Sequence, residues 1–256
     1  MCGIHAVIST TAPAPLPPTV RETLSSRGPD HFGQHAARLR APSQLVGEGE
    51  TAAGEPGGLF LTFTSTVLAL RGDRVTAQPF VHPETGSVLC WNGEAWKMDG
   101  SVVPGNDGEL VFRRLSEASA RVQATPQTGE MEDAAASAIL GVLRSIQGPF
   151  AFVYLDAAAQ TVYYGRDRLG RRSLLIRRDV AHGGTAAVSS VTMASAADTC
   201  DSSWVEVEAD GVYVIRLRAE SSHGFAPATR LEWSDKNEED LVSSLARRLP
   251  LMSSLA

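Results

Sequence analysis

Long apolar segments, clusters of basic residues and paired cysteines are all scarce in this sequence of 256 residues. Its apolar runs are far shorter than the roughly 20 residues that a membrane-spanning helix needs. No basic region followed by an apolar stretch and a cleavage site marks a signal peptide. No block of Lys and Arg exceeds two residues, and the net charge is -6. We therefore expect neither nucleic acid nor a membrane as a partner.

Cysteine and histidine are both too sparse to suggest a disulfide scaffold or a metal centre. The three cysteines are Cys2, Cys90 and Cys200. An odd number without C-x-x-C spacing favours a reducing compartment, so we expect a cytoplasmic protein. Six histidines are scattered along the chain. His31 and His35 are four residues apart, as on one face of a helix, but Gly33 between them disfavours a helix there. No H-E-x-x-H motif is present, and we expect no metal site.

The order of predicted elements indicates two packed sheets with helices outside them. Hydrophobic residues make up 43% and charged residues 20% of the chain, an ordinary globular composition. Periodicity predicts strands at 4–8, within 59–70, and at 87–91, 150–155, 161–164, 173–177, 186–190 and 212–217. It predicts helices at 19–26, 107–120 and 131–146. Residues 41–58 are rich in Gly, Glu and Pro and are expected to form a surface loop.

The helix at 131–146 has an apolar stripe at helical spacing that we expect in the core: Met131, Ala135, Ala138, Ile139, Val142 and Ile146. The chain ends with a further predicted helix over 234–249. Asp235 and Glu238 stand there at the spacing of a capping box. Its apolar stripe of Leu241, Leu245 and Leu249 needs a partner, although only seven residues follow it.

Cys2 stands directly after the initiator and before the apolar stretch Ile4 to Ile8. Three interpretations are open: a frayed terminal residue, a small buried apolar residue at the start of a strand, or a nucleophile. Removal of Met1, which is usual before a residue as small as Cys, would leave Cys2 with a free α-amine. An α-amine has a pKa of about 7.7–8.0 and a free thiol about 8.5. The amine could therefore serve as general base for the thiol of the same residue.

Four short motifs follow Cys2 along the chain: R-G-P-D (27–30), Arg71 after an apolar strand, W-N-G-E (91–94), and Asp107 at the start of a helix. Taken singly, each has a structural explanation. An Asn-Gly pair is typical of hairpin turns, and Asp is typical of helix caps. The order and spacing of all five features are far more specific.

With these motifs the sequence resembles the class II glutamine amidotransferase domain of the N-terminal-nucleophile hydrolases, in the asparagine synthetase branch. Two stretches, GPFAFVYLD (148–156) and GRDRLGRRSLL (165–175), are similar to strands of that family and the turn between them. The resemblance covers about residues 2–217. It implies an α/β (α+β) fold, a four-layer α/β/β/α sandwich of the N-terminal-nucleophile hydrolase type.

The resemblance also implies a role for each motif residue. Cys2 would attack the side-chain amide carbon of glutamine, with its own α-amine as base. The Asn92 side chain and the Gly93 backbone N–H would form the oxyanion hole. Arg71 would bind the substrate α-carboxylate through its planar, two-pronged donor set. Asp107 would accept the α-ammonium.

For three other residues a structural interpretation stays open beside a functional one. Glu94 is carried over as a further substrate-binding residue, and the R-G-P-D loop as a lid near the mouth of the pocket. Glu94, Asp30 and Cys90 are each equally compatible with a structural role. The segment Gly72 to Ala77 before Gln78-Pro79 is shorter than in asparagine synthetases, and in this the chain is more similar to the asparagine synthetase domain-containing proteins.

The implied function is hydrolysis of the glutamine side-chain amide through a Cys2 thioester, which supplies ammonia for asparagine synthesis from aspartate and ATP. L-glutamine is the expected partner, and a homodimer is compatible with the sequence. This half-reaction needs no cofactor or metal, since ATP and Mg²⁺ belong to the synthetase reaction. Two alternatives remain: an idle amidotransferase-like interaction module, and an N-terminal-nucleophile hydrolase with another amide substrate. Arg71 and Asp107 argue against another amide substrate, because together they would bind the α-carboxylate and the α-ammonium of a free amino acid.

The domain organisation implied by the resemblance is a glutamine amidotransferase domain at 2–218, followed by a linker and amphipathic helix at 219–256. That tail would lead to a synthetase domain, whose Ser-Gly-Gly-x-Asp-Ser pyrophosphate loop the sequence lacks. From this chain alone we expect glutamate and ammonia, with ATP left untouched.

Overall fold

The structure is a computed structural model that describes residues 1–10, 12–40, 58–123, 131–180, 188–195, 203–217 and 228–233. The helices are α1 (Pro18–Arg27), α2 (Asp107–Gln123) and α3 (Met131–Arg144). The strands of the first half are β1 (Gly3–Ser9), β2 (His31–Arg40), β3 (Gly58–Val67), β4 (Phe80–Val81), β5 (Val88–Gly93), β6 (Lys97–Met98) and β7 (Ser101–Val102). Those of the second half are β8 (Ile146–Gln147), β9 (Phe150–Asp156), β10 (Thr161–Arg166), β11 (Leu175–Val180), β12 (Val188–Ala194), β13 (Val205–Glu206), β14 (Gly211–Arg216) and β15 (Thr229–Glu232).

Two six-stranded sheets form the body of the protein. The first has the order β13-β11-β12-β1-β3-β2 and the second the order β15-β14-β10-β9-β5-β4, with antiparallel pairing throughout both. β1 lies inside the first sheet between β12 and β3, and all seven of its residues are buried. Burial on both faces explains its nearly continuous apolar sequence.

The apolar faces of the two sheets pack on each other. Ile4, Ala6 and Ile8 of β1 share one core with residues of β5, β9 and β10 such as Cys90 and Val153. A second core lies between the other face of the second sheet and the helices α2 and α3. The helix α1 covers the first sheet through Val20 and Leu24, both buried. The layers therefore run helix, sheet, sheet, helices, which confirms the predicted four-layer α/β/β/α sandwich.

Ile139 and Ile146 of the predicted stripe lie in the second core, although the helix ends at Arg144, short of the predicted 146, and Ile146 begins β8. Ile139 is fully buried, and Ala135 is buried beside it. Leu140 and Leu143 join them at helical spacing. Ala138 and Val142 of the predicted stripe are partly buried against the same core.

Several strands were not anticipated from the sequence. No element was assigned to 31–40, yet these residues form β2, an edge strand that pairs with β3 along ten residues. Its sequence, HFGQHAARLR, has few apolar residues. The guanidinium of Arg21 lies 4.2 Å from the ring centroid of Phe32, and that of Arg38 lies 5.2 Å from Phe60. These contacts and the pairing with β3 define a strand that apolar periodicity does not mark.

The second sheet extends beyond the predicted boundary at residue 218. β15 pairs with β14, from Gly211 opposite Glu232 to Val214 opposite Thr229. Trp233 follows and is buried in the core beneath α2 and α3. The described part of the predicted linker thus contributes a strand to the second sheet. Of the predicted loop at 41–58, residues 41–57 lie outside the described residues, as does the predicted helix at 234–249, and Gly58 begins β3. In the described parts of the chain, no helix is long and apolar enough to cross a membrane.

Candidate active site

Cys2 lies at the N-terminal end of β1, where the chain is held on several sides. Two residues further on, the Ile4 N–H donates to Ser195 Oγ at 2.5 Å, and the Ser195 N–H donates to Ile4 O at 2.9 Å. Arg27 Nε donates to the carbonyl oxygen of Cys2 at 3.3 Å. The Cys2 thiol lies 3.8 Å from Leu68 O. These contacts exclude a frayed terminus, so the first structural explanation for Cys2 is wrong.

The thiol of Cys2 faces a cavity of about 40 Å³. The six residues carried over by resemblance all line this cavity: Cys2, Arg71, Asn92, Gly93, Glu94 and Asp107. They come from the starts or ends of β1, β3, β5 and α2, which the two packed sheets bring together. Met1 also lines the cavity, so the volume is that left with the initiator in place.

Burial is the largest influence on the pKa of the Cys2 thiol. Removal from water raises the pKa of the Cys2 thiol above its ordinary value, because a thiolate loses more solvation than a thiol. The positive charges of the N-terminal ammonium and of Arg172 act in the opposite direction, and Asp107 raises this pKa further. A base close to the sulfur is therefore needed to generate the thiolate near neutral pH.

The side-chain nitrogen of Asn92 has no hydrogen-bond partner among the described residues. The residue is 1% exposed. A buried donor left without a partner costs about 1–3 kcal/mol. Because Asn92 lines the same cavity as Cys2, this donor is available to a ligand oxygen there.

The backbone N–H of Gly93 is directed toward an open edge of β5. The Trp91 N–H donates to Gln78 Oε1 at 3.0 Å, and the Glu94 N–H donates to Pro149 O, at the start of β9, at 2.9 Å. Successive N–H groups of a strand point to opposite edges, so the Gly93 N–H points to the Gln78 side. β4 occupies that side only opposite the first two residues of β5.

Only glycine fits at position 93. A Cβ built there would lie 2.7 Å from Phe150 Cβ and 2.7 Å from the Trp91 ring. Trp91 and Phe150 stack with their ring centroids 5.2 Å apart. The packed rings thus hold the strand end that carries both donors.

Asp107 is buried at the first residue of α2. Its Oδ2 accepts hydrogen bonds from Trp91 Nε1 at 3.0 Å and from the Ala95 N–H at 2.8 Å. Burial raises the pKa of the Asp107 carboxyl, while these hydrogen bonds and the charge of Arg71 lower it. The helix cap is the preceding residue, Asn106, whose Oδ1 accepts from the Glu109 N–H at 3.0 Å. The structural explanation of Asp107 as the cap is therefore wrong.

Arg71 follows β3 and braces the segment after β5. Its Nη1 donates to Ala95 O at 2.7 Å, and its Nη2 donates to Val103 O at 2.5 Å. A guanidinium has five N–H donors, so three lie outside these two bonds. Arg71 thus combines a structural function, which the sequence did not indicate, with a position on the cavity wall.

A family profile described as a glutamine amidotransferase domain matches residues 66–196, about half of the chain. The chain belongs to the glutamine amidotransferase domain family. Asparagine synthetase domain-containing protein 1 of Gallus gallus is 27% identical to this domain over 262 residues, covering 98% of this chain and 36% of that protein. The Homo sapiens protein of that name is 29% identical over 191 residues, covering 75% of this chain and 27% of that protein. The chain therefore spans only about a third of the length of these relatives.

Solved structures also resemble this amidotransferase domain. Glutamine phosphoribosylpyrophosphate amidotransferase from B. subtilis, complexed with ADP and GMP, is 15% identical with a TM-score of 0.49, covering 91% of this chain and 49% of that chain. A predicted glutamine amidotransferase from Pseudomonas aeruginosa is 15% identical with a TM-score of 0.43, covering 83% of this chain and 95% of that chain. The family match and the named relatives confirm the resemblance carried by the motifs.

Glu94 is paired with a residue of the amidotransferase domain that sequence reasoning missed. Its Oε1 accepts from Arg172 Nη2 at 2.7 Å, and both residues line the cavity. Thr76 and Gln78 also line it, so the shortened segment after Arg71 still reaches the site. Arg172 lies in the GRDRLGRRSLL stretch, which was the only signal for it.

The R-G-P-D loop of the amidotransferase domain is a fixed support, so the lid prediction is wrong. Gly28 packs so closely on β3 that an added Cβ would lie 2.4 Å from the Thr66 backbone. The Asp30 N–H donates to Val67 O at 2.9 Å, and its Oδ2 accepts from the Ala69 N–H at 2.7 Å. No residue of 27–30 lines the cavity. Asp30 therefore has a structural role.

Cys90 is also structural in this domain. It is fully buried in the core between the sheets, and its Sγ lies 3.9 Å from Thr64 O. Burial raises the pKa of the Cys90 thiol to about 12, which keeps it protonated and unreactive. Cys200 lies outside the described residues. In the part of the chain that the structure describes, no group of three or more His, Cys, Asp or Glu side chains is arranged to hold a metal ion.

Proposed function

We propose that this domain hydrolyses the side-chain amide of L-glutamine through a thioester on Cys2. The observation that carries the proposal is the buried Asn92 Nδ2, which has no partner among the described residues, on a residue that lines the same cavity as Cys2. A donor of this kind is stabilised when negative charge develops on the substrate amide oxygen. The open N–H of Gly93 supplies the second donor, and one such donor can contribute about 10²–10³ in rate.

The proposed reaction begins once Met1 is removed. The α-amine of Cys2 takes the thiol proton, and the thiolate attacks the amide carbon of glutamine. The resulting oxyanion is bound by Asn92 Nδ2 and the Gly93 N–H. Collapse of the tetrahedral intermediate breaks the C–N bond, and the protonated amine returns its proton to the leaving nitrogen, which departs as ammonia. Water then hydrolyses the thioester and releases glutamate and the free thiol.

Removal of Met1 is also required by space. A cavity of about 40 Å³ holds only a few water molecules, too little for a glutamine molecule. Met1 lines this cavity, and its Sδ lies 3.1 Å from Arg172 Nη1. Cleavage of the initiator would therefore free both the base and the volume that the reaction needs.

Arg71 and Asp107 are proposed to bind the two charged ends of the substrate. Arg71 has N–H groups beyond those bound to Ala95 O and Val103 O, and these would bind the α-carboxylate. Asp107 would bind the α-ammonium with the carboxylate oxygen not shared by Trp91 and Ala95. Two groups of opposite charge that line one cavity suit a free amino acid better than a peptide.

We further propose that the ammonia serves asparagine synthesis in a longer protein of the kind that the relatives represent. The hydrolytic half-reaction would use only side-chain and backbone groups of this chain, without metal or cofactor, in the cytoplasm. Incubation with glutamine, aspartate and ATP should yield glutamate and ammonia. Formation of asparagine or AMP by this chain alone would contradict that assignment.

The decisive test is labelling of Cys2 by a diazoketone analogue of glutamine. Intact mass should show loss of Met1 and addition of one analogue, and peptide mapping should place the adduct on Cys2. Cys2→Ala should abolish labelling and glutamate release while retaining the melting temperature. Cys90→Ala is the matched control and should keep both activities. An unlabelled Cys2 in the mature chain would favour the idle interaction module instead.

A further inference from the structure

Arg172 is held firmly on the wall of the Cys2 cavity. It lies between β10 and β11, in a loop organised by two buried residues, Arg166 and Asp167. Arg166 Nε donates to the carbonyl oxygen of Arg172 at 2.7 Å. Asp167 accepts from two backbone N–H groups of the same loop at 3.1 and 3.2 Å. The backbone of Arg172 is therefore fixed from behind, and its side chain lines the cavity.

Of the three guanidinium nitrogens of Arg172, one binds a carboxylate, one contacts Met1, and one has no acceptor among the described residues. Its Nη2 donates to Glu94 Oε1 at 2.7 Å, and the Arg172 side chain is 17% exposed. Its Nε is buried and has no acceptor among the described residues. Its Nη1 lies 3.1 Å from Met1 Sδ. After loss of Met1, this Nη1 would face the space beside the new α-amine of Cys2.

Two cations act on Cys2. Arg27 binds its carbonyl oxygen at 3.3 Å, and the positive charge of Arg172 lowers the pKa of its thiol against the larger effect of burial. The charged groups that face Cys2 or these cations are Arg27, Arg71, Glu94, Asp107 and Arg172. Two of these five are carboxylates: Asp107, which is engaged by Trp91 and Ala95, and Glu94, which is engaged by Arg172.

We propose that Arg172 is a positioning residue for Cys2: Glu94 holds its guanidinium beside the nucleophile, where its positive charge favours the deprotonated forms of both the α-amine and the thiol. A nearby cation disfavours a second positive charge and favours a negative one. The reactive form of Cys2 is thereby reached at lower pH. This inference rests on the proposed role of Cys2 in glutamine hydrolysis.

The test compares the pH dependence of two reactions in Arg172→Gln, Arg172→Lys and Glu94→Gln, each prepared without Met1. One reaction is glutamine hydrolysis, followed as kcat/KM. The other is alkylation of Cys2 by iodoacetamide without glutamine, followed by the mass of the N-terminal peptide. Arg172→Gln should move the acid limb of both profiles to higher pH by about 0.5–1 unit. Glu94→Gln should move it to lower pH, because the glutamine oxygen can still accept the hydrogen bond from Arg172 Nη2 while the charge of Arg172 is no longer compensated. Arg172→Lys should keep the wild-type position.

Arg74→Gln is the matched control, since it also removes one positive charge, and Arg74 is 77% exposed and does not line the cavity. Its acid limb should not move. The inference would be overturned if the acid limbs of Arg172→Gln and Glu94→Gln moved in the same direction. It would also be overturned if both variants were slower but their acid limbs did not move. Either result would show that the Arg172–Glu94 ion pair is only structural. A chain that does not hydrolyse glutamine could still show opposite shifts of the alkylation profile in Arg172→Gln and Glu94→Gln. That result would support the inference about Arg172 and reject the proposed function.

Discussion

The indole Nε1–H of Trp91 donates to Oδ2 of Asp107 at 3.0 Å. This bond joins β5, which carries both proposed oxyanion donors, to the first residue of α2. The carboxylate that we propose for the substrate ammonium is therefore oriented by the strand that would bind the substrate amide oxygen. The two subsites are coupled through one buried side chain.

Asp107→Asn tests this coupling. The variant can keep the hydrogen bonds from Trp91 and Ala95 with its amide oxygen, but it lacks the negative charge. We expect kcat/KM for glutamine to fall by about 10–100-fold, the equivalent of a charge-assisted hydrogen bond worth roughly 1.5–3 kcal/mol. Thermal unfolding should show a melting temperature equal to or above that of the wild type. A large loss of stability would mean that Asp107 is mainly structural.

The pH dependence of KM gives a second test of Asp107. Burial raises the pKa of its carboxyl, so the group becomes neutral at a higher pH than an ordinary carboxyl. Below that pH the α-ammonium loses its counter-charge, and KM should rise as the pH falls. In Asp107→Asn, KM should be high and nearly constant over the same range. The KM profiles of the two proteins should converge at acid pH; parallel profiles would contradict the assignment.

Asn92→Ala should separate activity from stability. The buried Nδ2 has no partner among the described residues, so its removal should leave the melting temperature unchanged or higher. Loss of an oxyanion donor should lower kcat by about 10²–10³-fold. Asn106→Ala is a useful contrast, since it removes the cap of α2 and should cost about 1 kcal/mol of stability. Equal kcat in Asn92→Ala and the wild type would reject the oxyanion role.

Arg71→Ala should affect both substrate binding and stability. The backbone carbonyls of Ala95 and Val103 lose their donors, which should lower the free energy of unfolding by about 1–3 kcal/mol. Loss of the carboxylate contact should also lower kcat/KM by about 10–100-fold. Arg74→Ala is the control, since that side chain is 77% exposed and should change stability by less than about 0.5 kcal/mol. Normal turnover by a folded Arg71→Ala protein would leave Arg71 only its structural function.

His5 should make the protein less stable in mild acid. It is buried in β1, and burial, together with the charge of Arg177, lowers its pKa from 6.5 to about 4. The unfolded chain therefore binds a proton as the pH falls below about 6.5, whereas the folded protein stays neutral until about pH 4. Stability should fall over that window by at most about 3 kcal/mol. Chemical denaturation of His5→Gln at pH 7.5 and pH 5 should show a smaller difference than the wild type.

Local sequence patterns determined much of this architecture. β1, β9 and the helix α3 were predictable because buried strands and amphipathic helices carry their periodicity in consecutive residues. The motifs around Cys2, Asn92 and Asp107 were recognisable because the residues of each motif are neighbours in the sequence. The edge strands β2 and β15 were not predicted, since their stability comes from pairing with a neighbouring strand and not from their own apolar content.

Only the tertiary structure decided how the motif residues contact one another. Arg172 meets Glu94 across 78 residues of sequence, and the R-G-P-D loop is pinned to β3 instead of covering the pocket. Neither contact can be predicted from the local sequence composition. The sequence by itself determined which residue types were available to the site. The packing of two sheets determined which of them share one cavity, because burial and hydrogen bonding between distant segments depend on the whole fold.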